Sequence, residues 1–308
     1  MPLTPTAKIW MDGELVNWED AKVHILTHSL HYGTGVFEGI RAYPTSSGPA
    51  VFRLREHLQR LDRSARMLML DLPYSEDVLA TAVKDTVRSN GLDECYIRPL
   101  VYLGYGEMGI NTLTSEVHVA IAVWPWMSYL GEAAQETGAR LKVSTWARHD
   151  PRSLPTAVKA TGMYINGSLA KAEVVKSGYD EAVMLTTDGY VSECTGENLF
   201  VVRAGRLATP PAATSSALEG ITRISVMSIA SDLGYEVREQ PMRRTDLYVA
   251  DEVFMSGTAA EIVPVSSVDD RLIGDGRPGP VSKAIADTYR QVVRGEVAQY
   301  KDWLELVD

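Results

Sequence analysis

The sequence predicts an α+β fold divided between two domains, on three observations. Its 308 residues exceed what one core readily organises and suit two domains of about 150 residues each. Amphipathic helices and strands share residues 1–124. The run Trp124-Pro125-Trp126-Met127-Ser128-Tyr129-Leu130-Gly131 then breaks the periodicity, and strands and helices resume in alternation from 139. The expected division is a small N-terminal domain over 1–124, a linker over 125–137 and a larger domain over 138–308.

Taken in order, residues 8–16 form a hairpin, with Asp12-Gly13 supplying the turn. Leu54, Leu58, Leu61, Ala65 and Leu68 recur at spacings of four and three, which marks an amphipathic helix. Val78, Leu79, Ala82, Val83, Thr86 and Val87 mark a second. Period-2 and continuous apolar runs give strands over 96–103 and 117–124. A strand over 139–146, a helix over about 162–177 and a strand over 181–187 follow. The Asp188-Gly189 turn leads to a strand over 191–202, then a hairpin around Ala204-Gly205 and a helix over about 221–233. Further strands lie near 236 and 253.

Composition narrows the function classes. Apolar content of 45% with 23% charged residues is that of a soluble globular protein. Thirty basic against forty acidic residues, net charge −10, argue against nucleic acid as partner, and no run of Lys or Arg reverses the balance. Two cysteines, Cys95 and Cys194, do not make a disulfide framework. The start Met1-Pro2-Leu3-Thr4-Pro5 lacks the features of a signal peptide, and no apolar stretch approaches the roughly 20 residues of a membrane span. The expectation is a soluble cytoplasmic protein with no membrane partner.

Two segments carry candidate chemistry: Thr156-Ala157-Val158-Lys159-Ala160-Thr161-Gly162-Met163-Tyr164, and Val191-Ser192-Glu193-Cys194-Thr195-Gly196-Glu197-Asn198-Leu199-Phe200. Lys159 comes just before a Gly-initiated helix, Tyr164 sits one turn beyond it, and Glu193 lies on a strand. A pyridoxal-phosphate (PLP) enzyme needs such parts: an amine for a Schiff base, a phenol for the ring oxygen and a carboxylate for the pyridine nitrogen. A surface lysine and an ordinary strand glutamate have the same residue types, so these positions alone leave both readings open.

Other positions are equally two-sided. Gly220-Ile221-Thr222 opens a helix, whose first-turn N–H groups and dipole suit a phosphate, or it is a plain helix start. Tyr96, Arg98 and Tyr102 share one face of a strand, where Arg98 is either a surface residue or a carboxylate receptor. Pro99 between them suggests an edge or mouth position. Gly104-Tyr105-Gly106-Glu107-Met108-Gly109 matches G-x-G-x-x-G, but Ile110-Asn111-Thr112-Leu113-Thr114 leads into another strand, so a dinucleotide loop is rejected. His24, His28 and His31 read as packed or hydrogen-bonded histidines, and no metal is expected.

The motif KATGMYINGSLAKAEVVKSGYDEAV…VSECTGENLFVV resembles the branched-chain amino acid aminotransferases, fold-type IV PLP enzymes. The resemblance continues through HSLHYGTGVFEGIRAY at 28–43, REHLQRLDRSARML at 55–68, YIRPLVYLGYGEMGIN at 96–111, LEGITR at 218–223, EVFMSGTAAEIVPV at 252–265 and IGDGRPGPV at 273–281. It implies the D-amino acid aminotransferase-like architecture, a small α/β sandwich domain plus a larger pseudo-barrel α/β domain. It also implies that the two cysteines are free thiols.

By the same resemblance Lys159 is the catalytic lysine. Arg60, Tyr164, Glu193, Gly220, Ile221, Thr222 and Thr258 join it in binding PLP, with Arg60, Ile221, Thr222 and Thr258 on the phosphate. Arg98 receives the side-chain carboxylate of glutamate or 2-oxoglutarate, helped by Tyr129 and by Tyr32 of the partner subunit. Tyr96 and Gly257-Thr258-Ala259 hold the α-carboxylate. Phe37, Tyr164, Trp126 and Tyr129 line an apolar wall, with Met108 and Ile110 nearby or across a dimer. The implied reaction is ping-pong transamination of L-leucine, L-isoleucine and L-valine with 2-oxoglutarate, giving 2-oxo acids and L-glutamate. The implied assembly is a homo-oligomer, a dimer or larger. FEGIR at 37–41, YIRP at 96–99 and GEMGIN at 106–111 favour this activity over the sister D-amino acid aminotransferases, (R)-selective amine aminotransferases and aminodeoxychorismate lyases.

Overall fold

A computed structural model of the chain describes residues 3–126 and 132–308. It divides into two compact units, one of Met1–Met127, Val158–Met163 and Gln291–Asp308, the other of Ser128–Ala157 and Tyr164–Arg290. The expected boundaries at 1–124, 125–137 and 138–308 make each domain one continuous stretch, and the chain departs from that twice. Strand Leu304–Leu306 pairs antiparallel with Gly48–Phe52 and completes the first sheet, so the C-terminal segment returns to the first unit. Ala160 bridges Val36, which stitches the Lys159 segment into the first unit too. Part of the expected linker is helix, Glu132–Thr137, and Tyr129 lies outside the described residues.

The first unit is an antiparallel sheet in the order Leu304–Leu306, Gly48–Phe52, Ile40–Thr45, Cys95–Leu103, Val117–Trp124, Lys8–Met11, Glu14–Asn17, with Gly35–Phe37 also paired to Cys95–Leu103. The expected hairpin is present, with Asp12 and Gly13 both at positive φ in its turn. Helices Leu54–Met67 and Glu76–Ser89 cover the sheet. Leu54, Leu58, Leu61 and Ala65 share one buried cluster with Leu79, Val83, Val87, Ile97 and Ile121, the a/d-like stripe read from the spacing. Val78 does not join it and is 45% exposed, because Leu79 and Ala82 already define the inward face.

Pro99 is not at an edge. Its strand is central, paired with Val117–Trp124 on one side and with both Gly35–Phe37 and Ile40–Thr45 on the other. Those two strands are interrupted at Glu38-Gly39, and Glu38 N–H donates to Pro99 O at 2.9 Å. A residue's N and O point to the same side of a strand, so the missing N–H of Pro99 falls at the interruption.

The second unit is a mixed sheet in the order Val191–Cys194, Glu181–Leu185, Ala139–Val143, Glu261–Val268, Glu252–Gly257, Asn198–Arg203, Arg206–Thr209, Glu236–Glu239, with Arg271–Leu272 beside Glu261–Val268. It curls into a half-barrel. Leu141, Val183, Leu199, Met255 and Val263 form its core. The strand expected over 139–146 ends at Val143, since the Glu173 carboxylate takes Ser144 Oγ–H at 2.7 Å and Thr145 N–H at 3.2 Å and bends the chain. The strand expected over 191–202 is two strands. At Thr195–Glu197 the chain bends, Cys194 N–H donates to Glu197 O at 2.7 Å, and pairing passes from Glu181–Leu185 to Glu252–Gly257.

Gly33 and Gly162 meet back to back in the first unit. Gly33 has φ 66°, its O accepts from Gly162 N at 3.1 Å, and a Cβ on it would stand 2.7 Å from Gly162 Cα. Gly33→Ala is therefore expected to cost at least about 1–2 kcal/mol for the left-handed backbone alone, measured by urea unfolding; wild-type stability would contradict the close approach.

Candidate active site

In the first unit Lys159 is held by its backbone. Its O accepts from Phe37 N at 3.0 Å, and its N donates to Ser64 Oγ at 3.3 Å. The half-buried side chain brings Nζ to 5.0 Å from the centroid of the Phe37 ring.

One residue beyond Phe37, Glu38 is fully buried and accepts from Arg60 Nε at 2.6 Å and Nη2 at 2.8 Å. His57 Nδ1 lies 2.7 Å from the same carboxylate, which makes Nδ1 the protonated nitrogen. His57, Arg60 and Ser64 lie three and four residues apart on helix Leu54–Met67, and so on one face. Burial alone raises the affinity of Glu38 for a proton, but Arg60 and then His57 outweigh it and hold the carboxyl far below the usual range. Burial pushes His57 down by more than Glu38 lifts it, so the imidazole is neutral at neutral pH. Arg60, expected on the phosphate, thus has its Nε edge committed to Glu38, a bidentate contact that sets the plane of the guanidinium.

Arg98 sits among aromatic faces, its guanidinium carbon 4.8 Å from the Phe37 centroid, 5.3 Å from Tyr96 and 5.6 Å from Trp124. Its Nε is buried with no hydrogen-bond partner, and no ion pair reaches it among the described residues. Trp126 packs on Tyr96 at 5.1 Å. Gly39 makes room for Tyr96, whose Oη would be 1.9 Å from a Cβ there. The structure thus gathers Phe37, Tyr96, Arg98 and Trp126, while Tyr102 stacks on His118 instead. Tyr32, Met108 and Ile110 are exposed at the surface, Ile110 by 89%.

In the second unit Glu193 is 7% exposed. Arg148 Nη2 reaches its Oε1 at 2.7 Å, and its Oε2 accepts from Asn198 Nδ2 at 3.1 Å and Leu218 N at 3.0 Å. Three donors on two oxygens suit an acceptor-only carboxylate. Asn198 also donates to Leu218 O at 2.9 Å, tying Glu193 to the start of helix Ile221–Asp232. Gly220 caps that helix in extended conformation, and a Cβ there would lie 2.1 Å from Asn198 Oδ1. Ile221 and Thr222, both buried, contribute first-turn N–H groups ahead of the first helical bond, Ile224 N to Gly220 O at 3.0 Å. Gly257, Thr258 and Ala259 form a half-buried turn between strands Glu252–Gly257 and Glu261–Val268. Half-buried Tyr164 starts helix Tyr164–Lys176.

The model of the family described as Amino-transferase class IV matches residues 35–268. The chain belongs to the class IV aminotransferases. It is 50% identical over 301 residues to the branched-chain-amino-acid aminotransferase of Escherichia coli strain K12, covering 97% of each chain. The crystal structure of the Escherichia coli branched-chain amino acid aminotransferase superposes with TM-score 0.96 at 49% identity, covering 98% of this chain and 100% of that one. That of the Thermobaculum terrenum branched-chain amino acid aminotransferase in its PLP form superposes with TM-score 0.93 at 36% identity, covering 99% of each chain.

This class IV aminotransferase is PLP-dependent. Its residues fit that cofactor: a helix start whose first-turn N–H groups suit an anion, a carboxylate aimed by three donors, and a lysine anchored through its backbone. Glu38, His57, Arg148 and Asn198 escape the reading of the sequence. The spacing of His57, Arg60 and Ser64 could have flagged one polar helix face, and Glu38 and Asn198 lie within the quoted motifs. Arg148 has no such signal. The three N-terminal histidines are each hydrogen-bonded, His28 to nearby Thr34 and to the distant Gly109 O, His31 to Ile25 O, and His24 to Leu26 N.

Glu38→Gln removes one partner of a buried pair and is expected to cost about 3–5 kcal/mol. The acid limb follows from both shifts. The folded pKa of each group is depressed, so the unfolded chain protonates first, and stability falls as pH drops below 6.5 for His57 and below 4.5 for Glu38. Denaturant titrations from pH 7 to 4 check this; a flat profile would contradict it.

Proposed function

We propose that this enzyme transfers the amino group of L-leucine, L-isoleucine or L-valine to 2-oxoglutarate, giving the branched-chain 2-oxo acids and L-glutamate in ping-pong order. One observation carries the reading: the buried, unpartnered Nε of Arg98 in an enclosure of Phe37, Tyr96 and Trp124. Such an enclosure accepts an aliphatic side chain against its rings. It accepts a carboxylate only where the guanidinium can pair it, since an unpaired buried charge is costly. The relatives' names point the same way.

PLP, when bound, supplies an electron sink that acidifies the Cα proton of the amino acid. Lys159, Arg60, Tyr164, Glu193, Gly220, Ile221, Thr222 and Thr258 would hold it. Lys159 Nζ moves the proton from the amino-acid Cα as a general base. Glu193, anchored by Arg148, Asn198 and Leu218, holds the proton on the pyridine nitrogen, and Tyr164 meets the ring oxygen. Arg60 serves the phosphate with the plane that Glu38 imposes. Arg98 pairs the side-chain carboxylate of glutamate with help from Tyr129 and from Tyr32 of the partner subunit. Tyr96 and Gly257-Thr258-Ala259 receive the α-carboxylate, and Trp126, with Met108 and Ile110, completes the apolar wall.

The exposed apolar residues Ile25, Leu30, Tyr32, Met108 and Ile110 support assembly as at least a homodimer. Both cysteines are buried free thiols, which supports a cytoplasmic setting.

The test is a half-reaction on the yellow holoenzyme. L-Leucine is expected to bleach it and 2-oxoglutarate to restore it; bleaching only by D-alanine or (R)-1-phenylethylamine would move the enzyme to a sister activity. Lys159→Ala should abolish turnover, and transamination near the wild-type rate would overturn the assignment. Arg98→Ala should weaken kcat/KM for L-glutamate by about 2–5 kcal/mol, the loss typical of a buried charge pair, and affect L-leucine far less. Equal losses for both substrates would remove Arg98 from specificity.

A further inference from the structure

Three carboxylates of the second unit, Glu181, Glu193 and Glu197, are 0%, 7% and 4% exposed. Two cations pair with two of them. Lys171 Nζ reaches Glu181 Oε2 at 2.5 Å, and Arg148 Nη2 reaches Glu193 Oε1 at 2.7 Å. Glu181 is further satisfied by Thr195 Oγ1 and Ala182 N, each at 2.7 Å. Glu197 receives the N–H of Gly196 at 3.2 Å, and no ion pair reaches it among the described residues.

A buried carboxyl that faces two paired carboxylates and has no cation of its own is less costly as the neutral acid. Burial first, then the field of Glu181, push Glu197 up to about 8, with Lys171 and the Gly196 N–H offsetting part and Glu193 adding to the rise. Cys194, on the adjoining strand, is pushed well up by burial and by the same three carboxylates, and stays a thiol. The groups facing Glu197 are thus Glu181 with Lys171, Glu193 with Arg148, and Cys194.

Its location gives the neutral acid a use. A Cβ on Gly257 would lie 3.3 Å from Glu197 Cγ and 3.3 Å from Gly196 O, so the side chain backs directly onto the first residue of the 257–259 turn. We infer that Glu197 is a positioning residue held as a neutral carboxylic acid behind the Gly257-Thr258-Ala259 turn, and that its ionisation weakens the binding of substrate carboxylates there. The inference rests on the proposed role of that turn as the α-carboxylate site.

The coupling is reciprocal: if bound carboxylate lifts the proton affinity of Glu197 by about one unit, ionised enzyme binds it about tenfold more weakly. The probe is 4-methylvalerate, an unreactive carboxylate, titrated into wild-type and Glu197→Gln holoenzymes from pH 6.5 to 9.5, with its uncharged amide in parallel. The expected result is an alkaline loss of about tenfold in wild type that Glu197→Gln reduces or removes and the amide does not show. Infrared spectra in H2O and D2O supply a second readout: wild type should show the C=O band of a protonated carboxyl that disappears as pH rises through about 8. This measurement needs no variant and holds even where Glu197→Gln misfolds. Identical pH profiles in the two proteins, or no such band, overturn the inference while leaving the transaminase reading intact. Failure of 4-methylvalerate to compete with L-leucine overturns the α-carboxylate assignment, and the inference with it.

Discussion

The buried fork between Arg60 and Glu38 is the interaction on which the first unit depends. It fastens helix Leu54–Met67 to the stretch Gly35–Gly39, and that stretch supports candidate site residues on both sides. On one side Phe37 N–H holds Lys159 O and Val36 bridges Ala160. On the other, Glu38 N–H meets Pro99 O, and Gly39 leaves room for the Tyr96 phenol. Lys159, Arg60 and the aromatic enclosure of Arg98 are therefore not independent placements. A fully buried ion pair contributes little net stability against apolar residues of equal volume. Its value here is geometric, because two parallel hydrogen bonds define a plane where packing alone would leave a long side chain free to rotate.

The second unit meets the same electrostatic constraint differently. Its buried carboxylates outnumber the cations that reach them among the described residues, so the charges are graded: Glu181 and Glu193 are ion-paired, and Glu197 takes one N–H. Glu193 gains direction from this, since Arg148, Asn198 and Leu218 converge on it from different elements. Asn198 serves twice, to Glu193 and to Leu218 O just ahead of the helix at Ile221, so carboxylate and helix start share one support.

Much of this is legible in the sequence. The heptad-like spacing from Leu54, the Asp12-Gly13 turn and the strands around 96–103 and 117–124 are backbone and burial signals, and local periodicity carries them. Lys159, Glu193 and Gly220–Thr222 stand out by residue type and motif. The support is not legible, because it is non-local: Glu38 meets Arg60 across 22 residues, and Lys159 N reaches Ser64 across 95. The return of Leu304–Leu306 to Gly48–Phe52 is a pairing of distant short strands, for which no periodic signal exists.

Where the periodic reading fails most, it fails beside the candidate residues Glu193 and Arg98. The sequence reads as one strand over 191–202, yet the chain bends at Thr195–Glu197 and changes partners. In the first unit, Gly35–Phe37 and Ile40–Thr45 are likewise separated by Glu38-Gly39 along the strand that carries Arg98. Each interruption places a buried glutamate where a continuous strand would place a side chain fixed by alternation, and each has a glycine beside it. A break in a strand frees backbone groups and turns a side chain out of register. Glu38 uses that freedom to face a helix, and Glu197 to lie behind the Gly257 turn. An uninterrupted ladder would satisfy more backbone hydrogen bonds and would lose both placements, so local irregularity of the sheet is what lets carboxylates be buried against defined partners.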